Sequence, residues 1–463
     1  MKRLSRNFFS LVFSDIGRRI LGFFAIAYLA RKVGPADFGM INIGFTVLSY
    51  GLMISSGGLS MYGTRMIAKE ISVDLVDNIL GLRFLSTIIT FGIITIIAVL
   101  FIPSKLMAVL IILFSLSLFA NAILLDWYFQ GKEEMGIVGI GKFVSAAVYC
   151  FVVVAFVQSS DDVLWVAVAA FAGDLICSSI IFIVYKRRER ARIQLKFSMW
   201  NDLIRKSLPI GSGTILGHLS VNFPPLALGI IMTNTEVGYY SAASKLVFFL
   251  LMFDRVLATI LLPVSTRYHT YSPEKLSTML HQALKWIVII ALPICVGGSI
   301  LADRLLPLVF GMQYGDSIEV FQILVWYFFA TMVHTIYTSG LLAIGQEKLY
   351  GRTMFFSILI YSISIVSFTM FVGVIGAAYA MVLSEIITLI LMRNQFRRFV
   401  VVHLPEHLFK IVIAAILMGC ALVIVPSINV LLGIVMGAVV YTAILFATRA
   451  ITSDNISEML GRF

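Results

Sequence analysis

Fourteen apolar stretches, each about long enough to cross a hydrocarbon core of about 30 Å, leave this chain little freedom in what it becomes. They run approximately over residues 8–30, 39–59, 81–102, 107–127, 137–158, 163–185, 204–232, 237–263, 284–309, 319–344, 353–374, 376–392, 407–426 and 428–448. Polar residues interrupt the first, seventh and eighth. The 463 residues are 60% hydrophobic and 13% charged, whereas soluble domains carry about 25% charged residues. An all-α integral membrane protein with about fourteen transmembrane helices is therefore expected. Met1, Lys2 and Arg3 lead straight into an apolar segment without a small-residue cleavage site, so no cleaved signal peptide is expected.

The net charge of +11 invites a nucleic-acid reading, but its placement argues for topology instead. Most lysines and arginines fall at the N-terminus and in the even-numbered loops, including the run Lys186, Arg187, Arg188, Arg190, Arg192, Lys196, Arg205 and Lys206. The opposite side is acidic, with Asp37, Asp161, Asp162, Glu236, Asp303, Asp316 and Glu319. By the positive-inside rule, both termini and every even loop are expected in the cytoplasm. No nucleic acid is expected as a partner. The loops are too short for a nucleotide-binding cassette or a folded catalytic ectodomain, and P-loop, HExxH and paired-cysteine motifs are missing. No metal, cofactor or enzymatic activity is expected. Cys150, Cys177, Cys295 and Cys420 read as small core residues.

The basic run divides the first twelve segments into six and six. Asp37-Phe38-Gly39 after the first segment echoes Glu236-Val237-Gly238 after the seventh, an offset of 199. Gly131-Lys132-Glu133-Glu134 after the fourth echoes Gly345-Gln346-Glu347-Lys348 after the tenth, an offset of 214. Six segments per half preserve orientation, which predicts a parallel repeat of two pseudo-symmetric six-helix lobes. The expected organisation is an N-terminal lobe over 1–185, a basic cytoplasmic linker over 186–203, a C-terminal lobe over 204–398, and an additional helix pair with a tail over 399–463.

Ionisable residues stand inside the apolar segments: Asp15, Arg18, Arg19, Asp174, Lys245, Asp254, Arg255 and Glu385. A charge at bilayer depth costs roughly +2.5–3.5 kcal/mol on insertion scales unless it meets a partner or a wet cavity. A polar interior is expected. The seventh segment, with Pro209, Gly211, Gly213, Gly217, His218, Pro224 and Pro225, is tolerable only against protein or water. Trp127, Tyr128, Trp326 and Tyr327 are expected to anchor the membrane interface or pack helices.

Several motifs resemble those of a known family. Gly34-Pro35-Ala36-Asp37-Phe38-Gly39 resembles the Leu-Gly-Pro-x-x-Tyr/Phe-Gly signature of bacterial polysaccharide exporters. Asp126-Trp127-Tyr128-Phe129-Gln130-Gly131 is similar to their Trp-x-x-Gln-Gly element, and Val237-Gly238-Tyr239-Tyr240-Ser241-Ala242 to their Val-Gly-x-Tyr-x-x-Ala motif. Ile375-Gly376-Ala377-Ala378 resembles their Gly-Ala-Ala. The family is the polysaccharide transport branch of the multidrug/oligosaccharidyl-lipid/polysaccharide superfamily, which includes the Wzx-type O-antigen flippases. The resemblance implies translocation of undecaprenyl-diphosphate-linked oligosaccharide across the bacterial inner membrane, without a cofactor. A proton or sodium ion would be the coupling ion, and a polysaccharide polymerase or ligase a partner. A drug or small-cation antiporter and a membrane polymerase or ligase remain as alternatives.

For an anionic headgroup the candidate binding residues are Arg18, Arg19, Lys245, Arg255 and His218, since guanidinium groups donate paired hydrogen bonds to phosphate oxygens. Asp15, Asp174, Asp254, Glu385 and His334 are candidates for ion coupling or charge pairing. Internal pairing competes with both roles: Asp15 lies three and four residues before Arg18 and Arg19, and Asp254 adjoins Arg255. The four basic and four acidic intramembrane residues nearly cancel, so the charges alone do not set the sign of the cargo.

Overall fold

The polar residues that punctuate the apolar sequence are the ones that start its helices. In the computed structural model Ser72, Ser104, Ser272 and Asn429 each accept a backbone N–H from the first turn of the helix that follows, satisfying a donor that helix geometry leaves open. Pro273 then occupies the first turn of its helix, where a missing N–H costs nothing. The description covers residues 2–189, 195–425 and 429–451, with side chains throughout except at 2–16 and 212–221.

Among the described residues every regular element is a helix. Ten helical stretches are long and apolar enough to cross a membrane, and residues 222–231 and 408–424 form shorter apolar helices. The chain is a multi-pass membrane protein. Two of the ten stretches each carry a pair of the expected segments, joined at a glycine. The first pair lies in α1 (Lys2–Ser56), where Gly34 has φ 80° and Pro35 restarts the helix. That φ is in the region L side chains disfavour, and a proline suits the first turn after it. The second pair lies in α14 (Glu347–Phe396), broken at Gly373 with φ 69°.

The molecule groups into two compact units, Met1–Gly238 and Tyr239–Phe463. In the first unit α1 packs on α3 (Val73–Phe101), α4 (Lys105–Ser115), α7 (Met135–Phe156) and α9 (Trp200–Ile231). The α7 helix packs in turn on α8 (Leu164–Glu189), and α2 (Leu59–Ile67) lies against α6 (Asp126–Gly131) and α9. A short α5 (Ser117–Ala122) sits between α4 and α6. The three prolines of α9 leave it assigned as one helix. The second unit holds α10 (Asn234–Tyr271) from Tyr239 onward, α11 (Pro273–Ile300), α12 (Ala302–Phe310), α13 (Ser317–Ala343), α14, α15 (Leu408–Ile424) and α16 (Val430–Ala447). There α13 packs against α14 and α11, and α11 against α15. The Tyr441 hydroxyl donates to the Ile289 carbonyl at 3.0 Å, tying α16 to α11.

Exposure is inverted relative to a soluble fold. On α3 the exposed side chains are Ile88, Ile93, Ile97, Leu100 and Phe101, while Thr87 and Thr90 are buried. Such a surface is stable only in hydrocarbon, where polar groups must be satisfied internally. Within α1 the Asn42 amide donates to the Phe38 carbonyl at 2.7 Å and the Thr46 hydroxyl to the Asn42 carbonyl at 2.8 Å. Cys177 and Cys295 are buried as expected, Cys150 is half-buried, and Cys420 is exposed on α15, a departure from the core reading.

The fourth expected segment is not one straight helix. It breaks after Ser115 and again at residues 123–125, and Arg83 of α3 fills the second break. Its guanidinium, buried, donates to the Leu124 carbonyl at 2.8 Å and the Asn121 carbonyl at 2.6 Å. One planar fork thus satisfies the Leu124 carbonyl and adds a second donor to the Asn121 carbonyl, which already accepts the Leu124 backbone N–H at 3.1 Å.

The two copies of the first repeat motif meet in space. A Cβ on Gly39 would lie 1.8 Å from the Asn234 carbonyl oxygen, and a Cβ on Gly238 would lie 1.9 Å from the Pro35 carbonyl oxygen. Asn234 follows Pro35 by the same 199 residues that separate Gly238 from Gly39. The contact is reciprocal, as at a two-fold interface, and only glycine permits this approach of backbone to backbone. Gly39→Ala and Gly238→Ala are each expected to destabilise the protein by about 1–3 kcal/mol through overpacking. Because they strain one shared contact, the double variant should cost less than the sum. Thermal unfolding of the purified protein in detergent checks this against Gly351→Ala, where an added Cβ meets nothing within 4 Å. Equal midpoints for all four proteins contradict it.

Candidate functional site

Three of the charge-pairing candidates come together in the second unit. Glu385 of α14 and His334 of α13 pair through Oε1 and Nδ1 at 3.0 Å, with side chains only 13% and 12% exposed. The other ring nitrogen, Nε2, lies 2.9 Å from the Thr338 hydroxyl one turn along the same helix. In the neutral ring Nδ1–H donates to the carboxylate and Nε2 accepts from the hydroxyl. Both ring nitrogens therefore have a partner. Next to His334, the Thr335 hydroxyl donates to Asp254 Oδ1 of α10 at 2.6 Å. Asp254 lies within electrostatic reach of both His334 and Glu385. Asp254, His334 and Glu385 form a titratable cluster on three helices.

The cationic candidates behave differently. Asp254 and Arg255 form no ion pair with each other among the described residues: Asp254 turns to Thr335, while Arg255 is exposed. Successive helical residues point about 100° apart, which is why sequence neighbours do not face one another. Lys245 is half-buried in α10 and has no hydrogen bond or ion pair among the described residues. An ammonium in an apolar helix without a protein partner is costly unless something else solvates it.

In the first unit, Asp174 of α8 accepts from the Asn121 amide of α5 at 3.2 Å, a neutral donor rather than a cation. Arg18 and Arg19 are half-buried and both are engaged with other groups. The side chains of Asp15 and His218 lie outside the described residues, so the Asp15 pairing and the His218 proposal fall there too. Trp127 and Tyr128 pack helices as expected, buried in a cluster with Tyr185, whose ring lies 4.9 Å from that of Tyr128.

The basic linker is tied down where it is described. Lys132 Nζ pairs with Glu189 at 2.8 Å, Arg188 with Glu134, and Lys196 with Asp74. The Glu189 carboxylate beside Lys132 holds that ammonium above its usual value. Asn78 Oδ1 accepts from the Lys196 backbone at 2.7 Å and from the Trp200 indole at 3.1 Å. Arg83 is the residue that sequence reasoning missed. It reads as a loop cation by charge counting, yet it lies inside α3 with Leu80 and Leu82 buried beside it. Its signal was a lone arginine at the start of an apolar run opposite a segment containing Asn121 and Asp126.

Comparison with known proteins agrees with this architecture. The family model described as "Polysaccharide biosynthesis protein" matches residues 4–269. The chain is 23% identical over 414 residues to a putative O-antigen transporter of Escherichia coli strain K12, covering 84% of this chain and 95% of that protein. It is 24% identical over 242 residues to a probable low-salt glycan biosynthesis flippase of Haloferax volcanii, covering 50% of this chain and 51% of that one. Among solved structures, the lipid II flippase MurJ in an inward closed conformation matches with TM-score 0.79 and 14% identity, covering 95% of this chain and 99% of that chain. An inward-facing multidrug transporter of the MATE family matches with TM-score 0.67 and 16% identity, covering 82% and 94%. The fold is that of these two solved structures. Since its family model spans more than half of the sequence, the chain belongs to the polysaccharide biosynthesis protein family.

Proposed function

We propose that this protein is a flippase for lipid-linked oligosaccharide. Its cargo is an undecaprenyl-diphosphate-linked repeat unit of the O-antigen type, moved by alternating access from the cytoplasmic to the outer leaflet of a bacterial inner membrane. The chain crosses that membrane fourteen times with both termini in the cytoplasm, its helices divided functionally into lobes 1–185 and 204–398 and an added pair beyond 399. The protein is a transporter rather than an enzyme, and a polysaccharide polymerase or ligase takes up its product. The observation that carries this reading is Lys245, a half-buried ammonium in an apolar helix with no protein partner among the described residues. A diphosphate supplies the counter-charge it lacks. The curated relatives named as an O-antigen transporter and a glycan flippase support the same cargo class. Arg18, Arg19 and Arg255 are proposed as further contacts to the anionic headgroup.

A drug or small-cation antiporter is the second reading, and the Asp254, His334 and Glu385 cluster favours it, as does the fold shared with MATE transporters. In the flippase reading the same cluster is the proton-coupling element, its imidazole and carboxylate loading and releasing protons as access alternates.

Deletion of the gene is expected to remove surface glycan and leave lipid-linked repeat units on the inner leaflet. Lys245→Ala, at normal protein level, should restore about tenfold less glycan than the native chain, the loss of one charge-assisted hydrogen bond, and Lys245→Arg should restore more than Lys245→Ala. Full rescue by Lys245→Ala contradicts the binding role, and no accumulation of lipid-linked units contradicts the function itself. Glu385→Gln and His334→Gln are expected to abolish stimulation of transport by an imposed pH gradient in vesicles. Retention of that stimulation in both variants contradicts the coupling role.

A further inference from the structure

A second polar site lies wholly within the first unit. The C-terminal turns of the helix ending at Ser56, the short α2, and the Asp126–Gly131 segment enclose a cavity of about 640 Å³. Its polar wall is rich in unused donors. Arg65 is exposed on α2 and its side chain makes no hydrogen bond or ion pair among the described residues, and the same holds for the Gln130 amide. Trp127 lines the cavity, is 2% exposed, and its indole Nε1–H is buried without a partner. Asp126, the one carboxylate in the wall, is engaged. Asp126 holds Lys142 at 3.0 Å and its own following backbone N–H at 2.9 Å, and the Thr64 hydroxyl donates to the Ser60 and Trp127 carbonyls. The rest of the wall sets Leu52, Met53 and Met61 beside the hydroxyls of Ser49, Ser56 and Ser60.

A guanidinium and an amide without partners among the described residues, beside methionine side chains, fit one ligand chemistry: an anionic phosphate on an aliphatic chain. The guanidinium fork matches phosphate oxygens, and the adaptable methionines suit the first carbons of an acyl or prenyl tail. We propose that this cavity is a docking site for the phosphate headgroup of an amphiphile, held at Arg65 and Gln130 with Trp127 beneath. It rests on the flippase reading: the occupant is the prenyl-linked diphosphate of the cargo, received on the side carrying the basic loops before translocation. Arg65 is itself one of those basic-side residues, and Lys69 and Lys132 stand near the ends of the same elements.

The test measures binding of farnesyl diphosphate, a short prenyl diphosphate, to the full-length protein in detergent. Inorganic pyrophosphate and phosphatidylglycerol are the comparison arms. Farnesyl diphosphate is expected to bind, with affinity falling about tenfold or more in Arg65→Ala and measurably in Gln130→Ala. Arg65 and Gln130 are exposed, so neither change threatens the fold. Unchanged affinity in Arg65→Ala and Gln130→Ala overturns the site. Pyrophosphate binding as tightly as farnesyl diphosphate overturns the amphiphile, and tighter binding of phosphatidylglycerol assigns the cavity to a bilayer lipid and overturns the cargo assignment. These outcomes are separable from the function. Glycan export that survives in Arg65→Ala removes the docking site and leaves the flippase standing, whereas a gene deletion that accumulates no lipid-linked units removes the flippase whatever the cavity binds.

Discussion

Two glycines that tolerate no side chain fix the way this chain meets itself. Gly39 and Gly238 lie in corresponding copies of one motif, and each is pressed against the carbonyl at the helix start of the other copy. The contact buries no large side chain and makes no ion pair. Its specificity comes from the absence of a Cβ, which lets two helix starts approach at backbone distance.

Polar groups in the apolar helices follow a division of labour. Most are satisfied within the protein: Arg83 closes the break in the fourth segment, Asn121 holds Asp174, Thr335 holds Asp254, and His334 holds Glu385. In hydrocarbon such pairing is what makes a polar residue affordable, and it holds helices in fixed register. Against that background Lys245 and Arg65 stand out, since neither has a partner among the described residues. The first lies inside an apolar helix and the second beside a cavity, and both are chemically suited to phosphate.

Much of this was legible in the sequence because membrane physics is blunt. Hydrocarbon thickness sets segment length, so the expected segments coincide largely with helices, and the joint at Gly34 falls in the gap drawn between the first two while Gly373 breaks the chain near the end of the eleventh. Periodicity of the echo at Asp37 and Glu236 announced the repeat, but nothing in one dimension said that the two echoes touch. Side-chain partners were illegible for the same reason. Asp254 has Arg255 as its neighbour in sequence, yet its hydroxyl partner comes from 81 residues away, and Glu385 finds an imidazole 51 residues upstream rather than a cation. Charge counting set Arg83 among the loop cations because it weighs sign and not the carbonyls that a broken helix leaves open. Asp15 and His218, which ranked high by position, fall outside the described side chains.

The most direct test of the central claim is reconstitution. Purified protein is placed in liposomes that carry a lipid-linked oligosaccharide in the inner leaflet, and appearance of the glycan at the outer surface is followed with an impermeant lectin. The account predicts that the glycan becomes accessible only in vesicles containing the protein, faster than in vesicles carrying Lys245→Ala. Folded protein that leaves the glycan inaccessible, while exporting small cations from the same vesicles, would contradict it.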